Sequence, residues 1–380
     1  MKLIYITNTR LPSEKANSYQ SMQMCSSLAK YFDEVELWTG LSKNHKKFRA
    51  IKDVFGYYNL KNNFTIKRFF QFDSVILRYL NEFVWANLKN FVFIFNVCLH
   101  LSKYRNSNEV IIYTREPYLL IVFQVFKKIK LVDNRIFYES HKFSKYTQKA
   151  LEKIDGLVVI NHYLEKLYKT NYLENILVAH DGVSLEDYSE ISNYKFLPNK
   201  KEYIILYTGN LFPWKGVYTL VNSIKYLPQN FKLVSIGGSE NYLSNFISYV
   251  EKNSESNRIK IFSHMQKKYL LEYIEKADVL VLPNSAKDKM SLFTSPIKLF
   301  EYMASNRPII ASNLPSITEV LSNNNAFLFE PDNPKDLAEK IQKAVSSNCR
   351  EVVLKSYEDV KKYTWEKRAQ SIAQFISKKT

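Results

Sequence analysis

A cation and a carboxylate share one short predicted helix in the segment Thr294 to Ala304. Ser295 is a good N-cap residue and Pro296 suits the first helical position, so the pattern predicts a helix that begins here with free amide groups. Lys298 and Glu301, three residues apart, fall on one face. The amides and Lys298 could hold a phosphate, and Glu301 could bind a ribose diol. The alternative is a surface helix with an internal Lys–Glu ion pair.

A second candidate phosphate contact follows a predicted strand that ends at Gly209. Lys215 and Gly216 then open a helix, a geometry that presents amides and a cation to an anion. The alternative is an ordinary strand-to-helix turn. The chain has 8 glycines, and five of them lie just before and early in the second half, where glycine permits sharp turns and close approach to a ligand: Gly182, Gly209, Gly216, Gly237 and Gly238.

Several other chemistries are disfavoured by missing motifs. The sequence has no GxGxxG fingerprint, no Walker A loop and no DxD pair, so neither a dinucleotide site nor a carboxylate-held metal is implied. The cysteines Cys25, Cys98 and Cys349 are far apart and without paired spacing, which fits a reducing cytoplasm. The apolar run that begins the chain is too short for a signal-peptide core.

The candidate residues need a scaffold, and short β-branched runs alternating with helical stretches predict two doubly wound α/β domains. Tyr188 to Glu202 is polar and without periodicity, so we place the interdomain linker there. The domains would span 1–190 and 200–355. After Pro334 the chain is predicted to be helical apart from a break at Ser346 to Asn348. The predicted strands are Leu3–Ile6, Glu34–Trp38, Val110–Tyr113, Ile136–Glu139, Gly156–Ile160, Ile176–Val178, Tyr203–Tyr207, Phe231–Ile236, Ile259–Phe262, Val279–Leu282, Pro308–Ala311 and Ala326–Phe329.

The formal net charge is +17, and the stretch Leu41 to Arg135 holds 17 Lys and Arg against 6 Asp and Glu, a surplus of 11. Bases and rings interleave there, which favours peripheral docking on the anionic inner leaflet of a cell membrane. A solvated basic face over an aromatic core is the equal alternative, and nucleic acid is not favoured because no recognition motif accompanies the charge. The longest apolar run, Phe91 to Leu101, is too short to span a bilayer. The interleaved residues are Lys67, Arg68, Phe69, Phe70, Phe72, Arg78, Tyr79, Phe83 and Trp85.

The order of these elements resembles family 4 glycosyltransferases, retaining enzymes with the GT-B fold. The resemblance implies two Rossmann-like domains that face each other across a cleft, with the last helix, within 356–380, crossing back to the first domain. The matching segments run through nearly the whole chain: Lys15–Lys30, Glu139–His141, His180–Val183, Gly209–Gly216, Ser235–Gly238, Ala277–Pro283 and Ser295–Ala311.

The resemblance also implies residue roles. Lys215 would neutralise the donor diphosphate, Glu301 would hold the ribose, and His141 would contact the transferred sugar; a histidine satisfied by nearby backbone is the alternative for His141. Further donor-side residues would be Gly209, Asn210, Gly237, His264, Met265, Thr294, Ser295, Ile297 and Lys298. Acceptor-side residues would be Lys15, Ala16, Asn17 and Ser18. Apart from the resemblance, Arg115 lies just past a predicted strand end, where it could meet an anionic acceptor.

Two positions depart from the family pattern. Phe293 stands where the family commonly has a first glutamate, eight residues before Glu301, so the identity of the sugar is in doubt. Asn210 stands where an arginine often follows the glycine, so one diphosphate contact is missing.

The sequence is therefore interpreted as a cytoplasmic, metal-independent hexosyltransferase without a cofactor. It would use a UDP- or GDP-sugar and a glycan or lipid-linked acceptor in bacterial capsule, O-antigen or lipopolysaccharide synthesis. The alternatives are a GT-B nucleotide-sugar hydrolase or epimerase, or a noncatalytic carbohydrate- or lipid-binding protein of the same fold.

Overall fold

The computed structural model divides the chain into two compact units, Met1–His180 with Trp365–Thr380, and Asp181–Thr364. It describes residues 1–41, 48, 50–72, 81–105, 107–143, 148–169, 175–253 and 255–378. Arg78 and Tyr79 lie outside the described residues.

The first unit is built on a seven-stranded, parallel sheet with the order β3-β2-β1-β4-β5-β6-β7. The central strands are apolar on both faces, as parallel strands covered by helices require. The strands are β1 (Lys2–Ile6), β2 (Glu34–Gly40), β3 (Thr65–Phe69), β4 (Val110–Thr114), β5 (Arg135–Ser140), β6 (Gly156–Val159) and β7 (Ile176–Val178). The helices are α1 (Ala16–Leu28), α2 (Val54–Tyr57), α3 (Glu82–Leu101), α4 (Pro117–Lys128), α5 (Gln148–Leu151), α6 (His162–Lys169) and, from the chain end, α14 (Trp365–Ser377).

The second unit repeats the architecture with a six-stranded parallel sheet of order β10-β9-β8-β11-β12-β13. One apolar cluster covers each face of the sheet. Its strands are β8 (Tyr203–Thr208), β9 (Phe231–Ile236), β10 (Ile259–Phe262), β11 (Val279–Leu282), β12 (Ile309–Ser312) and β13 (Phe327–Phe329). Its helices are α7 (Val217–Ser223), α8 (Glu240–Glu251), α9 (Lys267–Lys276), α10 (Ile297–Ala304), α11 (Pro315–Thr318), α12 (Pro334–Ser346) and α13 (Arg350–Val360).

The α/β class is confirmed, and each predicted strand is present with ends that differ by at most two residues. The prediction missed β3, the edge strand beside β2. Its sequence, Thr-Ile-Lys-Arg-Phe, belongs to the basic and aromatic stretch for which a membrane-docking surface and a solvated basic face were the two equal interpretations. In the structure the Lys67 ammonium instead lies 2.8 Å from the buried Glu36 carboxylate. Lys67 is thus paired within the sheet edge.

The boundaries between the units differ from the predicted ones. Residues 181–190 belong to the second unit, where Val183 and Tyr188 are buried in its core, so the polar stretch that follows does not mark the division. At the other end, α13 also belongs to the second unit, and only Trp365 onward joins the first. A second break, between α13 and α14, separates these helices.

Helix α3 corrects the prediction that no segment is long enough to span a bilayer. Together with the 3₁₀ turn Ser102–Tyr104 it forms 23 residues with a mean hydropathy of 1.3 in its most apolar window, which is long and apolar enough by length and composition alone. The predicted run begins only at Phe91, after Lys89 and Asn90, whereas the helix begins at Glu82 and includes the apolar residues before that pair. In the structure 28% of that window is buried.

Candidate functional site

The side chain of Lys298 lies at the carboxyl end of β8 in the second unit. Its ammonium donates a hydrogen bond to the Thr208 carbonyl oxygen at 2.9 Å and lies 3.9 Å from the centre of the Tyr207 ring. The carboxyl edge of a parallel sheet is where ligands bind in folds of this class. Lys298 thus reaches the expected edge, rather than forming the surface ion pair with Glu301 that was the alternative.

Lys215 ends a 3₁₀ turn, Pro213–Lys215, and its ammonium lies 3.9 Å from the centre of the Trp214 ring. The next residue, Gly216, has φ +71°, and a Cβ there would lie 1.7 Å from the Pro283 carbonyl oxygen. Only glycine fits this turn. The turn is also held by the Ser285 amide, which donates to the Trp214 carbonyl at 3.0 Å. Lys215 is therefore fixed against the loop that follows β11.

The ends of β8 and β9 approach each other closely at two glycines. A Cβ on Gly237, whose φ is +128°, would lie 2.3 Å from the Gly209 carbonyl oxygen. A Cβ on Gly209 would lie 3.1 Å from the Lys298 ammonium. Because Gly209 and Gly237 have no side chains, backbone groups and the Lys298 ammonium lie close together at this edge of the sheet. Backbone amides and a cation at such an edge bind phosphates in related α/β folds.

Both lysines are held near the neutral form in the unliganded site. Burial lowers the pKa of Lys215 to about 7. Burial, reinforced by the charge of Lys215, also holds the pKa of Lys298 well below its usual range. A bound polyanion would reverse both shifts, because it favours the charged form of each lysine.

Glu301 has a partner that the sequence did not suggest. The Lys267 ammonium at the start of α9 lies 3.6 Å from a Glu301 carboxylate oxygen and 2.7 Å from Asp187. The Glu301 side chain retains 18% of its exposure, so part of the carboxylate remains accessible to a ligand. One helical turn separates it from Lys298 on α10, as predicted from their spacing.

The start of α10 differs from the prediction by one residue. Pro296 is the N-cap, Ile297 is the first helical residue, and no side chain caps the helix. The Ser295 hydroxyl instead accepts a hydrogen bond from the Asp181 amide at 3.0 Å, so it ties the helix start to the beginning of the unit. The amide groups of the first helical turn still point forward without intrahelical acceptors.

The remaining predicted donor-side residues of the second unit differ in how far they are buried. The Asn210 carbonyl accepts a 2.6 Å hydrogen bond from the Tyr207 hydroxyl, and its side chain is exposed after β8. Thr294 is buried beside the start of α10. In the loop after β10, Met265 packs against the core of the unit and His264 is exposed.

The first unit contains a fully buried carboxylate, Glu139, at the end of β5. It accepts hydrogen bonds from the Arg368 guanidinium at 3.2 Å, from the Gln20 amide at 3.2 Å and from the Tyr113 hydroxyl. The His141 Nε2 atom lies 2.6 Å from Glu139 Oε1, the oxygen that also accepts from Gln20. Burial alone would raise the pKa of Glu139, but Arg368 and His141 more than offset that effect and hold it well below its usual range.

His141 is neutral at physiological pH, since burial, assisted by the nearby Arg115 charge, lowers its pKa to about 4. A carboxylate only accepts hydrogen bonds, so Nε2 of the neutral ring must carry the proton that Glu139 receives. The lone pair of the ring is therefore on Nδ1. The alternative of a histidine satisfied by backbone is replaced by a carboxylate-oriented imidazole.

The predicted acceptor-side residues have mixed positions. Lys15, Ala16 and Asn17 are exposed before and at the start of α1. The Ser18 side chain is fully buried, with its hydroxyl 2.7 Å from that of Thr9, so the hydroxyl is not exposed to solvent. The Arg115 guanidinium was expected to meet an anionic acceptor, but it lies 3.6 Å from Glu139 and 3.5 Å from the Asn17 carbonyl.

Sequence reasoning missed the residues that support the site through distant contacts. Lys267 and Arg368 contact Glu301 and Glu139, which lie far from them in the chain, so neither carries a local signal. Glu139 does carry a local signal, because it lies two residues before His141 in the segment Glu139–His141 that resembles the family.

The family described as glycosyl transferases group 1 matches residues 189–367. An uncharacterized glycosyltransferase of Methanocaldococcus jannaschii, MJ1178, is 27% identical over 238 residues, which are 62% of this chain and 63% of that protein. The O-antigen chain mannosyltransferase RfbU of Salmonella typhimurium is 26% identical over 149 residues, or 39% of this chain and 40% of RfbU. The matched regions thus span less than two thirds of either relative.

Solved structures match over the whole chain. Anabaena HepE, solved with UDP and glucose, has a TM-score of 0.72 at 13% identity over 99% of both chains. The apo form of the lipopolysaccharide outer core galactosyltransferase WaaB has a TM-score of 0.69 at 15% identity over 100% of both chains. At these identities the likeness concerns the fold, and it confirms the GT-B architecture.

Proposed function

We propose that this chain, whose residues 189–367 match the family described as glycosyl transferases group 1, moves a hexosyl group from a nucleoside-diphosphate sugar to a glycan or lipid-linked acceptor. One observation carries the proposal: Lys215, Lys298 and the start of α10 meet at the carboxyl edge of the second sheet, with the Glu301 carboxylate one turn further along the helix. This combination fits a diphosphate joined to a ribose.

The site would act mainly on the leaving group. When the bond from the anomeric carbon to the diphosphate breaks, negative charge grows on the departing phosphate oxygens. The ammonium groups of Lys215 and Lys298 and the amides at the start of α10 would stabilise that charge. Glu301 would accept hydrogen bonds from the ribose hydroxyls and so fix the nucleotide. In the first unit, His141, oriented by Glu139, would contact the transferred sugar.

We propose that this chemistry needs no metal, because lysines and amides supply the positive charge and the sequence has no DxD pair. Retention of the anomeric configuration follows from the family resemblance. We assign no protein nucleophile and therefore no covalent intermediate. No organic cofactor is required for transfer from an activated donor.

The proposed setting is bacterial surface polysaccharide synthesis, which the name of RfbU, an O-antigen mannosyltransferase, supports. The uridine nucleotide bound in the HepE structures makes UDP the first ligand to test. GDP is the second. The sugar itself is left open, because Phe293 replaces the family's first glutamate.

Thermal stabilisation by nucleotides tests the donor site. Purified protein is scanned with UDP, GDP, ADP and CMP in the presence of a chelator, together with Glu301→Ala and Glu272→Ala, the latter an exposed glutamate on α9. We expect one diphosphate to raise the melting temperature by several degrees, and Glu301→Ala to weaken its binding by about tenfold or more, since charged hydrogen bonds contribute about 1.5–3 kcal/mol. Glu272→Ala should bind like the wild type. Absence of a shift with every nucleotide would contradict the proposal.

Nucleotide binding should also take up protons. The unliganded Lys215 has a pKa of about 7, so it is largely neutral at pH 8, and a bound diphosphate raises that pKa. Affinity should therefore fall by up to about tenfold per pH unit between pH 7.5 and 9. Isothermal titration calorimetry in two buffers of different ionisation enthalpy measures the number of protons taken up when the nucleotide binds. Uptake that is zero in this range, or unchanged by Lys215→Met, would contradict this role for Lys215.

A further inference from the structure

Helices α3 and α4 of the first unit carry an unusual share of exposed apolar side chains. Of 21 large apolar residues exposed among those the structure describes, ten lie on these helices or immediately after α4. From Val84 onward their spacing on α3 follows a single helical stripe, with steps of three and four residues. The ten are Phe83, Val84, Leu88, Phe91, Phe95, Leu99, Tyr118, Ile121, Val125 and Ile129. We call this set the α3–α4 face.

The opposite sides of both helices are fixed in the first unit. Phe93 and Val97 of α3, and Leu120 and Phe123 of α4, are buried in its core. The two helices pack together, and the rings of Phe95 and Phe126 meet edge to face at 5.8 Å.

Polar contacts also hold α3 along its length. The Asn90 side chain accepts a 2.6 Å hydrogen bond from Asn8, and the Asn96 side chain donates to the Phe70 carbonyl at 3.3 Å. Phe70 is itself 61% exposed and extends the apolar surface beside the helix. The α3–α4 face therefore belongs to a packed domain and is not a loose segment.

Basic residues border one end of the α3–α4 face. Both helices cross over between parallel strands, so their carboxyl ends lie at the same edge of the sheet. Residues 81–131 contain seven Lys and Arg against three Asp and Glu, a surplus of four positive charges. The exposed bases at these carboxyl ends are Lys103, Arg105, Lys127, Lys128 and Lys130.

We propose that the α3–α4 face docks the protein on the surface of an anionic lipid bilayer. The apolar stripes would enter the boundary between headgroups and acyl chains, and the bordering lysines would meet anionic headgroups. Contiguous apolar surface of this extent is rare on proteins that remain free in water. The inference concerns this surface alone and does not depend on the chemistry proposed for the second unit.

Charge and packing favour the bilayer surface over an interface with a second copy of the chain and over a transmembrane position. A second copy of the chain would bring the same positive surplus against this face, whereas anionic lipids neutralise it. A transmembrane position for α3 would remove its buried side from the core of the first unit, where Phe93, Val97 and Cys98 are inaccessible to solvent.

Sedimentation of the full chain with vesicles tests the proposal. Vesicles of phosphatidylcholine alone are compared with vesicles containing about 30% phosphatidylglycerol, since anionic lipid should supply the electrostatic part. We expect binding to the anionic vesicles and weaker binding at high salt. Leu88→Gln/Phe91→Gln/Val125→Gln should lower the partition coefficient on the anionic vesicles roughly 100-fold, and should also lower any residual partitioning onto phosphatidylcholine. Lys103→Gln/Lys128→Gln/Lys130→Gln should lower it roughly 100-fold on anionic vesicles only.

The matched control is Leu197→Gln/Ile247→Gln/Leu354→Gln, three exposed apolar residues of the second unit. This variant should bind vesicles like the wild type, and equal melting temperatures establish that every variant is folded. The proposal is overturned if the wild-type protein does not bind anionic vesicles. It is also overturned if the control variant loses as much vesicle binding as the α3–α4 variant. A further outcome would assign the face to a second copy of the chain instead. In that case the wild type does not bind vesicles and is a dimer in light scattering, and the Leu88→Gln/Phe91→Gln/Val125→Gln variant is a monomer.

Discussion

Replacing Lys215 by methionine is expected to lower the rate of sugar transfer by roughly 10³-fold while leaving the second unit folded, because a preorganised charge at a departing group contributes about that much. Methionine keeps the length and apolar body of the side chain and removes only the ammonium. The rate is measured as release of nucleoside diphosphate from the donor that the thermal screen identifies, with and without acceptor.

The same substitution should increase stability at neutral pH. The pKa of Lys215 is lowered to about 7 in the folded protein and is ordinary in the unfolded chain. As pH falls from about 10.5 towards 7, the unfolded state binds a proton that the folded state does not, so the wild type loses stability over this range. Lys215→Met abolishes the loss. Its melting temperature should exceed that of the wild type more at pH 7 than at pH 10.

Lys225→Met is the matched control, since Lys225 is also a lysine beside an aromatic ring, 5.0 Å from the centre of Tyr226, but is exposed. It should change neither the transfer rate nor the pH dependence of melting. A Lys215→Met protein that retains wild-type turnover would remove Lys215 from the site.

Truncating Glu139 to alanine is expected to destabilise the first unit by about 3–5 kcal/mol, because it leaves buried cationic partners without their carboxylate. The Arg368 and Arg115 guanidinium groups both lie within 3.6 Å of that carboxylate. His141 would also lose the acceptor that fixes its tautomer, so transfer should fall even in the protein that remains folded. Calorimetry measures the first effect and turnover at a temperature below the transition measures the second.

The control for Glu139→Ala is Glu165→Ala, which removes a carboxylate that contacts His162 and Lys169 at 2.8 Å on the surface of α6. Exposed pairs contribute at most about 1 kcal/mol, so this variant should melt near the wild type. Nucleotide affinity should remain unchanged in both variants, since the proposed donor residues belong to the second unit. Equal destabilisation by the two substitutions would refute the buried-carboxylate account.

The strands and the two-domain α/β fold could be predicted because buried parallel strands form short β-branched runs between helices. Strand β3 was not predicted because most residues of this edge strand are only partly buried or exposed, and Lys67 obtains its partner, Glu36, only when the sheet forms. The boundary between the units after His180 was not predicted for a related reason. A polar sequence indicates an exposed segment but not a domain boundary. The polar stretch after Tyr188 is exposed, yet it lies within the second unit.

The candidate site was predictable where a role depends on local geometry, as with Gly216 before α7 or the spacing of Lys298 and Glu301 on α10. It was not predictable where a role depends on contacts between distant residues. Arg115 was assigned to an acceptor from its place after β4, but Glu139, which lies on the neighbouring strand β5, holds its guanidinium. Burial also decides the charge state of Lys215, and no spacing in the sequence reveals that.

The position of Arg368 has a consequence for the order in which the protein is made. Glu139 is synthesised early, yet its strongest ionic partner is on α14, so 228 residues, including the entire second unit, separate them in the chain (positions 140–367). Domains usually fold in the order in which they leave the ribosome. Here the first unit must hold the buried Glu139 without its Arg368 partner until the second unit has been translated, so the second unit can finish folding before the first.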